Sequence, residues 1–423
     1  MSFHTVGSDT KYVLPASYDS IPQAFMSNKS AKPIPSSLQT VNIPALTSNQ
    51  NASGTSIVQL PCGSSAGIMM NPYLRLDVTM VGGTAGTSAF KWKGVSKCAT
   101  SILNRLSTYI NSVQVDNIQN ADQVYDQLFS HSTSYDWLAH DAKVLLGADV
   151  SEVEPAGGWA VRTYIIPLIG ALGTQQGMPL FALNGTLQVQ LDYNSIARSI
   201  CQSAGTAGDI TGFQVSNVQL VYDKISVEQA FVDKVKADMN AGHKYVLGYT
   251  NFQSTTVASA SGTAFFNYGL NVSSLRALVA QQMLTADLTA TASTNTGASL
   301  ANGLSQFQVS LDGRLINSNT LNASANPALV FAELNKCFSR LFDASITDIS
   351  TYADFISTSA GTGTFAVGVS AQRTNEALAF AGSPVSVVGL NFTTSASTYT
   401  MFLTFISDYQ ILVDSAGGVE IVR

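Results

Sequence analysis

A chain of 423 residues exceeds what one hydrophobic core normally serves and predicts at least two domains. Its 45% hydrophobic share excludes global disorder, and a net charge of −6 excludes a protein that coats nucleic acid over a broad basic surface. Charged residues amount to 11%, against a usual ~25%, so copies of this chain repel one another weakly, which suits packing against other protein.

Residues 1–50 are rich in Ser, Asn and Gln, with Pro15, Pro22, Pro33, Pro35 and Pro44 separating short apolar pairs. Such a composition predicts an extended arm, nearly neutral because Lys11, Lys29 and Lys32 offset Asp9 and Asp19. Met1 to Thr10 lacks the basic and apolar regions of a signal peptide, and folding in the cytoplasm is the expectation.

A first domain is expected over residues 51–225. Tyr73 to Met80 alternates Leu74, Leu76, Val78 and Met80 with more polar neighbours, the signature of a strand with one core face. A further strand is expected around Ile110 to Asp116. Helical spacing follows, with Val124 four residues from Leu128, Tyr125 four from Phe129 and Asn120 as the capping candidate. Tyr135 to Leu146 predicts a second helix. Strands resume at Trp159 to Ile169, Gly185 to Tyr193 and Phe213 to Ile225. Phe231, Val235 and Met239 form one stripe of a linking helix within residues 226–242, which Asn240-Ala241-Gly242 ends. Residues 243–423 form the expected second domain, a series of strand-like segments separated by loops of Ala, Ser, Thr, Gly and Asn.

The strand Val215 to Asp223 is repeated at Ile406 to Asp414, 191 residues later (223 to 414), with Ser, Gln and the closing Asp identical and apolar places kept apolar. Val113-Gln114-Val115-Asp116 is matched by Val309-Ser310-Leu311-Asp312 at an offset of 196 (116 to 312), each followed by a helical segment. Two echoes in the same order predict a duplicated domain whose last strand is the nine-residue repeat.

Chemistry-bearing constellations are sparse. Cys62, Cys98, Cys201 and Cys337 have neither metal-knuckle nor disulfide-scaffold spacing and are expected to be reduced and mostly buried. The four histidines are too scattered for a metal site. His140-Asp141 near Ser132 and Ser134 lacks the elbow of a hydrolase, so no catalytic, cofactor or metal residue is assigned. Asp149, Glu152 and Glu154 form an acidic cluster that could hold a cation, with a solvated loop as the plainer explanation.

Two β domains joined by a helix, each closing on a Ser-x-x-Gln strand, resemble the double jelly-roll major capsid proteins of icosahedral DNA viruses, the lineage of adenovirus and tailless phages. The likeness covers residues 51–423 and is closest at Tyr73 to Met80, Ile110 to Phe129 and the strand ending at Tyr222-Asp223. It implies an all-β fold with inserted helices, two tandem eight-stranded jelly rolls, and a non-enzymatic subunit whose pseudo-hexagonal homotrimers tile a shell. The implied partners are the chain itself and neighbouring trimers, penton or minor capsid proteins and, in some members, an internal membrane, with no sequence-specific nucleic-acid binding. The implied location is the virion capsid, after folding in the host cytoplasm. A viral spike or lectin-like β-sandwich protein that binds glycans through its loops is the alternative, and a carbohydrate-active enzyme ranks third. Lys91, Trp92, Lys93 and Lys97, within the basic and aromatic stretch Phe90 to Lys97, are the candidate inner-face contact to lipid headgroups, genome or an acidic neighbour, or else an ordinary exposed loop.

Overall fold

The computed structural model describes residues 37–423 other than positions 48, 64–66, 85, 135, 174–176, 203–208, 260, 318–319, 339–351, 359–362, 373–381 and 397. Its main strands in the first half are β1 (Ser37–Pro44), β2 (Thr55–Cys62), β3 (Gly67–Gly82), β4 (Leu103–Ile110), β5 (Val113–Gln119), β6 (Arg162–Pro167), β7 (Gly185–Tyr193) and β8 (Ile210–Ser226). They form two antiparallel sheets, one in the order β1-β8-β3-β6 and the other β2-β7-β4-β5. Alternation places Leu74, Leu76, Val78 and Met80 of β3 and Leu187, Val189 and Leu191 of β7 inside, where all seven are buried.

The second half repeats this order with β9 (Tyr245–Ala258), β10 (Gly262–Leu284), β11 (Gln306–Leu311), β12 (Arg314–Leu315), β13 (Ala366–Ser370), β14 (Ser383–Thr394) and β15 (Tyr399–Val413). Here β10 serves both sheets. Its first part, to Leu275, pairs with β14, and its second part, from Leu275, pairs with β15 and then β13; the register shifts between Gly269 and Leu275 mark the change. The two layers are therefore β9-β15-β10-β13 and β10-β14-β11-β12, strand for strand the arrangement of the first half.

Helices occupy equivalent places: α1 (Ala121–Ser132) follows β5, and α4 (Pro327–Cys337) follows β12. Between them in sequence lie α2 (Ala142–Leu146) and α3 (Gln229–Asn240). The expected helix from Tyr135 to Leu146 is a π-helical turn, Trp137–Asp141, running into α2, and Tyr135 itself lies outside the described residues. α3 leaves β8 directly and buries Val232 and Met239, with Phe231 edge-on to Phe181 at 6.0 Å.

Two expectations are corrected. The arm of residues 1–50 is, from Ser37 onward, part of the first sandwich. β1 pairs with β8 from Ser37 opposite Ser226 to Pro44 opposite Gln219, and Asn49–Asn51 pairs with Gln214 to Ser216. Pro44 is tolerated because it ends an edge strand and has no ladder donor to lose there; residues 1–36 lie outside the described residues. A truncation removing residues 1–45 therefore deletes a sheet strand and uncovers β8. The truncated protein is expected to lose cooperative thermal unfolding of the first sandwich, as calorimetry would show. An unchanged melting profile would contradict this placement.

The second correction concerns the shorter echo. Asp116 lies in β5 and is buried, whereas Asp312 follows β11 in an exposed turn. The true counterpart of Asp312 is Asn111. In the first half Asn111 N donates to Thr186 O at 2.8 Å and Thr186 N to Asn111 Oδ1 at 3.0 Å. In the second, Asp312 N donates to Val387 O at 2.9 Å and Val387 N to Asp312 Oδ1 at 2.8 Å. Both turns carry two positive φ angles, 50° and 67° at Asn111-Ser112 and 49° and 79° at Asp312-Gly313, as a two-residue hairpin with this twist requires.

Candidate assembly site and the seam between the sandwiches

α1 is the centre of the contact between the two halves. Ten of its twelve residues are buried, including the polar Asp122, Gln123, Asp126, Gln127, Ser130 and His131. An amphipathic surface helix would expose that polar face; here both faces are covered. Asp122 takes a two-pronged contact from Arg198, Nε and Nη2 each at 2.7 Å, and Arg198 in turn lies 5.5 Å from the ring centre of Phe402 on β15. Asp126 accepts from Ser96 N and Oγ at 2.7 and 2.6 Å and from Val95 N at 3.0 Å, with Gln281 Nε2 of β10 at 3.5 Å. Burial pushes the Asp126 carboxyl above its ordinary value, while the donors from Ser96 and Val95 and the nearby His131 pull it back. His131 stacks on Phe338, just beyond α4, at 6.1 Å.

The seam extends to both sides of α1. Tyr249 of β9 donates its hydroxyl hydrogen bond to Val115 O of β5. Asn111 Nδ2 donates to Gly417 O at 2.6 Å and Asn184 Nδ2 to Ser415 O at 3.0 Å, joining the β4–β5 turn and the residue before β7 to the segment after β15. Gly94 N donates to Thr296 O at 3.0 Å, and Gln202 N to Thr291 O at 2.7 Å.

The candidate contact residues fall in this region but separate into two groups. Ala89–Trp92 is a short strand paired with Ile200–Gln202, and its alternation turns Phe90 and Trp92 inward and Lys91 outward. Trp92 is buried edge-on to Phe90 at 5.1 Å and Tyr164 at 5.6 Å, so it has no face to offer a lipid or base. Lys93 is buried as well and donates to three carbonyl oxygens: Ala197 at 2.5 Å, Ala290 at 2.6 Å, and Asp287. Burial draws its ammonium down to about 8, with Asp287 and Cys201 opposing. Burial in turn raises the Asp287 carboxyl to about 6 against the pull of Lys93. Lys93 is thus an internal tie across the seam. Lys91 and Lys97 remain partly exposed and share Asp149 at 3.3 and 3.2 Å. Partial burial works against the Asp149 carboxylate, but Lys97 and Lys91 outweigh it and hold its pKa below the usual value.

The acidic cluster is dispersed in the same way, since Asp149 faces the two lysines and Glu152 pairs with Arg162. Among the described residues no group of three or more His, Cys, Asp or Glu side chains is placed to hold a metal ion. His140 and Asp141 lie exposed on the π-helical turn, and Ser134 Oγ accepts from Trp137 N at 3.2 Å. Cys98 and Cys201 are buried and all four cysteines are free thiols.

The sequence matches no family model and no curated protein. Solved structures match along the whole chain. The capsid of the virus PBCV-1 aligns over 93% of this chain and 98% of its own, with a TM-score of 0.60 at 12% identity. The major capsid protein of Faustovirus aligns over 91% and 92%, with a TM-score of 0.59 at 8% identity. That of mavirus aligns over 100% and 96%, with a TM-score of 0.51 at 11% identity. The chain has the double jelly-roll fold. In this chain the two rolls meet along the seam just described, where α1 of the first roll touches β9 and β10 of the second.

Proposed function

We propose that the protein is a structural subunit of an icosahedral virus shell, acting as a homotrimer whose six rolls make a pseudo-hexagonal block. The observation that carries this reading is the full-length double jelly roll, which aligns with capsid proteins over nearly the whole of both chains. Composition supports it: the low charge of 11% favours broad contacts between like subunits. Asp126, Lys93, Asn111 and Tyr249 tie one roll to the other by hydrogen bonds, a structural task for these polar groups of the seam. The partners are other copies of the chain, penton or minor capsid proteins at special positions of the shell, and an internal membrane where one is present. The location is the virion, after folding in the host cytoplasm.

The purified protein is expected to have the mass of a trimer by size exclusion with light scattering, and to form shells or hexagonal sheets visible by electron microscopy. A monomer at all concentrations, stabilised against heat by sugars, would instead identify a glycan-binding protein.

A further inference from the structure

The two rolls are built alike, so each is a control for the other, and the outer faces of their equivalent sheets differ. In the first roll β2, β7 and β4 set three rows of residues across that face: Gln59, Gln188 and Tyr109; Ile57, Gln190 and Ser107; Thr55, Asp192 and Arg105. Thr186 is equivalent to Val387, because both answer the same hairpin turn. The matching rows of β10, β14 and β11 are therefore Asn267, Gly389 and Ser310; Phe265, Asn391 and Gln308; Thr263, Thr393 and Gln306.

Three changes alter what the face can hold. The first roll carries an ion pair, Arg105 Nη2 to Asp192 Oδ2 at 2.5 Å, with Thr55 Oγ1 donating to Asp192 at 2.8 Å. Its counterpart is neutral: Thr263 and Thr393 share a hydroxyl hydrogen bond of 2.9 Å, and Thr393 Oγ1 donates to Gln306 Oε1 at 3.3 Å. Bulk is removed as well, since Gln188 and Tyr109 give way to Gly389 and Ser310. Asn267 Oδ1 and Ser310 Oγ lean over the opening, 3.2 and 2.5 Å from where a Cβ on Gly389 would stand. Finally, Ile57 is half-buried where Leu46 N donates to Ile57 O at 2.8 Å, whereas Phe265 is 77% exposed. Among the described residues its stretch of β10 is paired on one side only, with β14.

We infer that this outer face of the second roll binds neutral carbohydrate, with the Phe265 ring against the C–H face of a sugar and Asn267, Asn391 and Ser310 meeting its hydroxyls. A sugar ring offers an apolar face together with groups that both donate and accept, and side-chain amides and hydroxyls do both in return. Asn391 Oδ1, in the row of Phe265, is covered and has no hydrogen-bond partner, so turning that amide to a ligand hydroxyl breaks no bond at that oxygen. Gln308 is already held, accepting from Gln306 at 2.9 Å and donating to Thr320 at 3.1 Å, and stiffens the row from the far side. None of the nine residues is charged; the charges of this sheet are Asp312 and Arg314 in the hairpin at its end, which leaves an acidic polymer no cation along the rows. Exposed apolar area is confined to Phe265 and, two rows away, Val387, short of the contiguous patch that a protein partner buries. The site lies within one roll and so does not depend on shell formation.

The test is retention of the full-length protein on beads carrying dextran, mannan or galactan, with dextran sulfate as the charged control and mass in solution measured in parallel. Retention on at least one neutral polymer is expected, unchanged between about 0.05 and about 0.5 M salt because no charge pair forms. Phe265→Ala, and Gly389→Gln, which restores the side chain found at Gln188, are each expected to weaken binding about tenfold or more. Phe265→Tyr keeps the ring and should keep the affinity. Because Phe265 is exposed, neither of its variants should change the melting temperature. Retention on no neutral polymer, or on dextran sulfate alone, overturns the inference. Equal retention of wild type and Phe265→Ala places the sugar elsewhere and overturns it too, as does a fall in the mass of Phe265→Ala in solution, which marks the face as a contact between copies. A wild-type monomer that is still retained overturns the shell reading and leaves this one standing.

Discussion

Replacing Lys93 by Met is expected to destabilise the protein by about 3–5 kcal/mol, the low end of what three hydrogen bonds from a charged donor contribute at about 1.5–3 kcal/mol each. The ammonium is the shared donor for the carbonyls of Ala197, Asp287 and Ala290, so one amino group joins the segment before Ile200 to the segment after β10. Met fills similar volume and brings no donor. The buried Asp287 carbonyl and the part-buried carbonyls of Ala197 and Ala290 would lose this donor, and a buried acceptor left unpaired costs about 1–3 kcal/mol when water cannot enter. Asp287 would also lose the cation that restrains its raised pKa, which makes its charge harder to keep. The measurement is chemical denaturation of wild type and variant at pH 7, followed by tryptophan fluorescence because Trp92 adjoins Lys93. Lys93→Arg separates charge from fit: it keeps the charge but brings a larger planar head into a closed pocket, and should recover only part of the loss. A Met variant as stable as the wild type would show that the tie is dispensable.

Lys93 also shows where sequence reading stops. Alternation made Tyr73 to Met80 legible as a strand, and the same period in Phe90-Lys91-Trp92 points the aromatic rings inward. Lys93 breaks that logic, since a lysine beside a buried Trp gives no local sign that three carbonyls from distant segments surround it. The nine-residue echo was legible because β8 and β15 are both central strands, each flanked by an edge strand on one side and a long strand on the other. Its residue-by-residue match holds only from Val218 onward. β8 carries a bulge between Ser216 and Gln219, with Asn217 at φ 47°, so Ser216 faces outward while Ser407 is fully buried. The identical serines are thus no mark of a shared role. β1 was hidden because five prolines in residues 1–50 outweighed the alternation of Val41 and Ile43. The burial of α1 was hidden for a different reason: its polar residues look solvent-facing unless the second roll that covers them is known. The Asp-Gly pair at 312–313 was the one overlooked local signal, a hairpin dipeptide between alternating stretches.

Asp116 is expected to make the protein less stable as pH rises from about 4 to 7, and Asp116→Asn to abolish that loss. The carboxyl lies in β5 beside the seam, with Oδ2 accepting from Ala171 N at 2.9 Å and Oδ1 buried without a partner. Its titratable neighbours are the hydroxyls of Tyr125, Tyr249 and Tyr409, none of which supplies a positive charge. Burial raises its pKa from 3.8 to about 7, only partly offset by the N–H groups of Ala171 and Asn117. The sign follows directly. Between the unfolded and folded values the native state holds a proton that the unfolded chain has released, so raising the pH favours unfolding across that window. Above it the full cost of a buried charge applies, about 4 kcal/mol at ~1.4 kcal/mol per unit. An amide keeps an acceptor for Ala171 N–H and never ionises. The Asn variant is therefore expected to match the wild type within ~1 kcal/mol at pH 4 and to exceed it by about 2–4 kcal/mol at pH 8, as urea melts at the two pH values would record. Because β5 meets Tyr249 of the second roll, the same ionisation loads the seam itself, and alkaline conditions should loosen the wild-type rolls before those of the variant. A wild type equal to or more stable than the variant at pH 8 would show that the carboxylate is accommodated in its charged form.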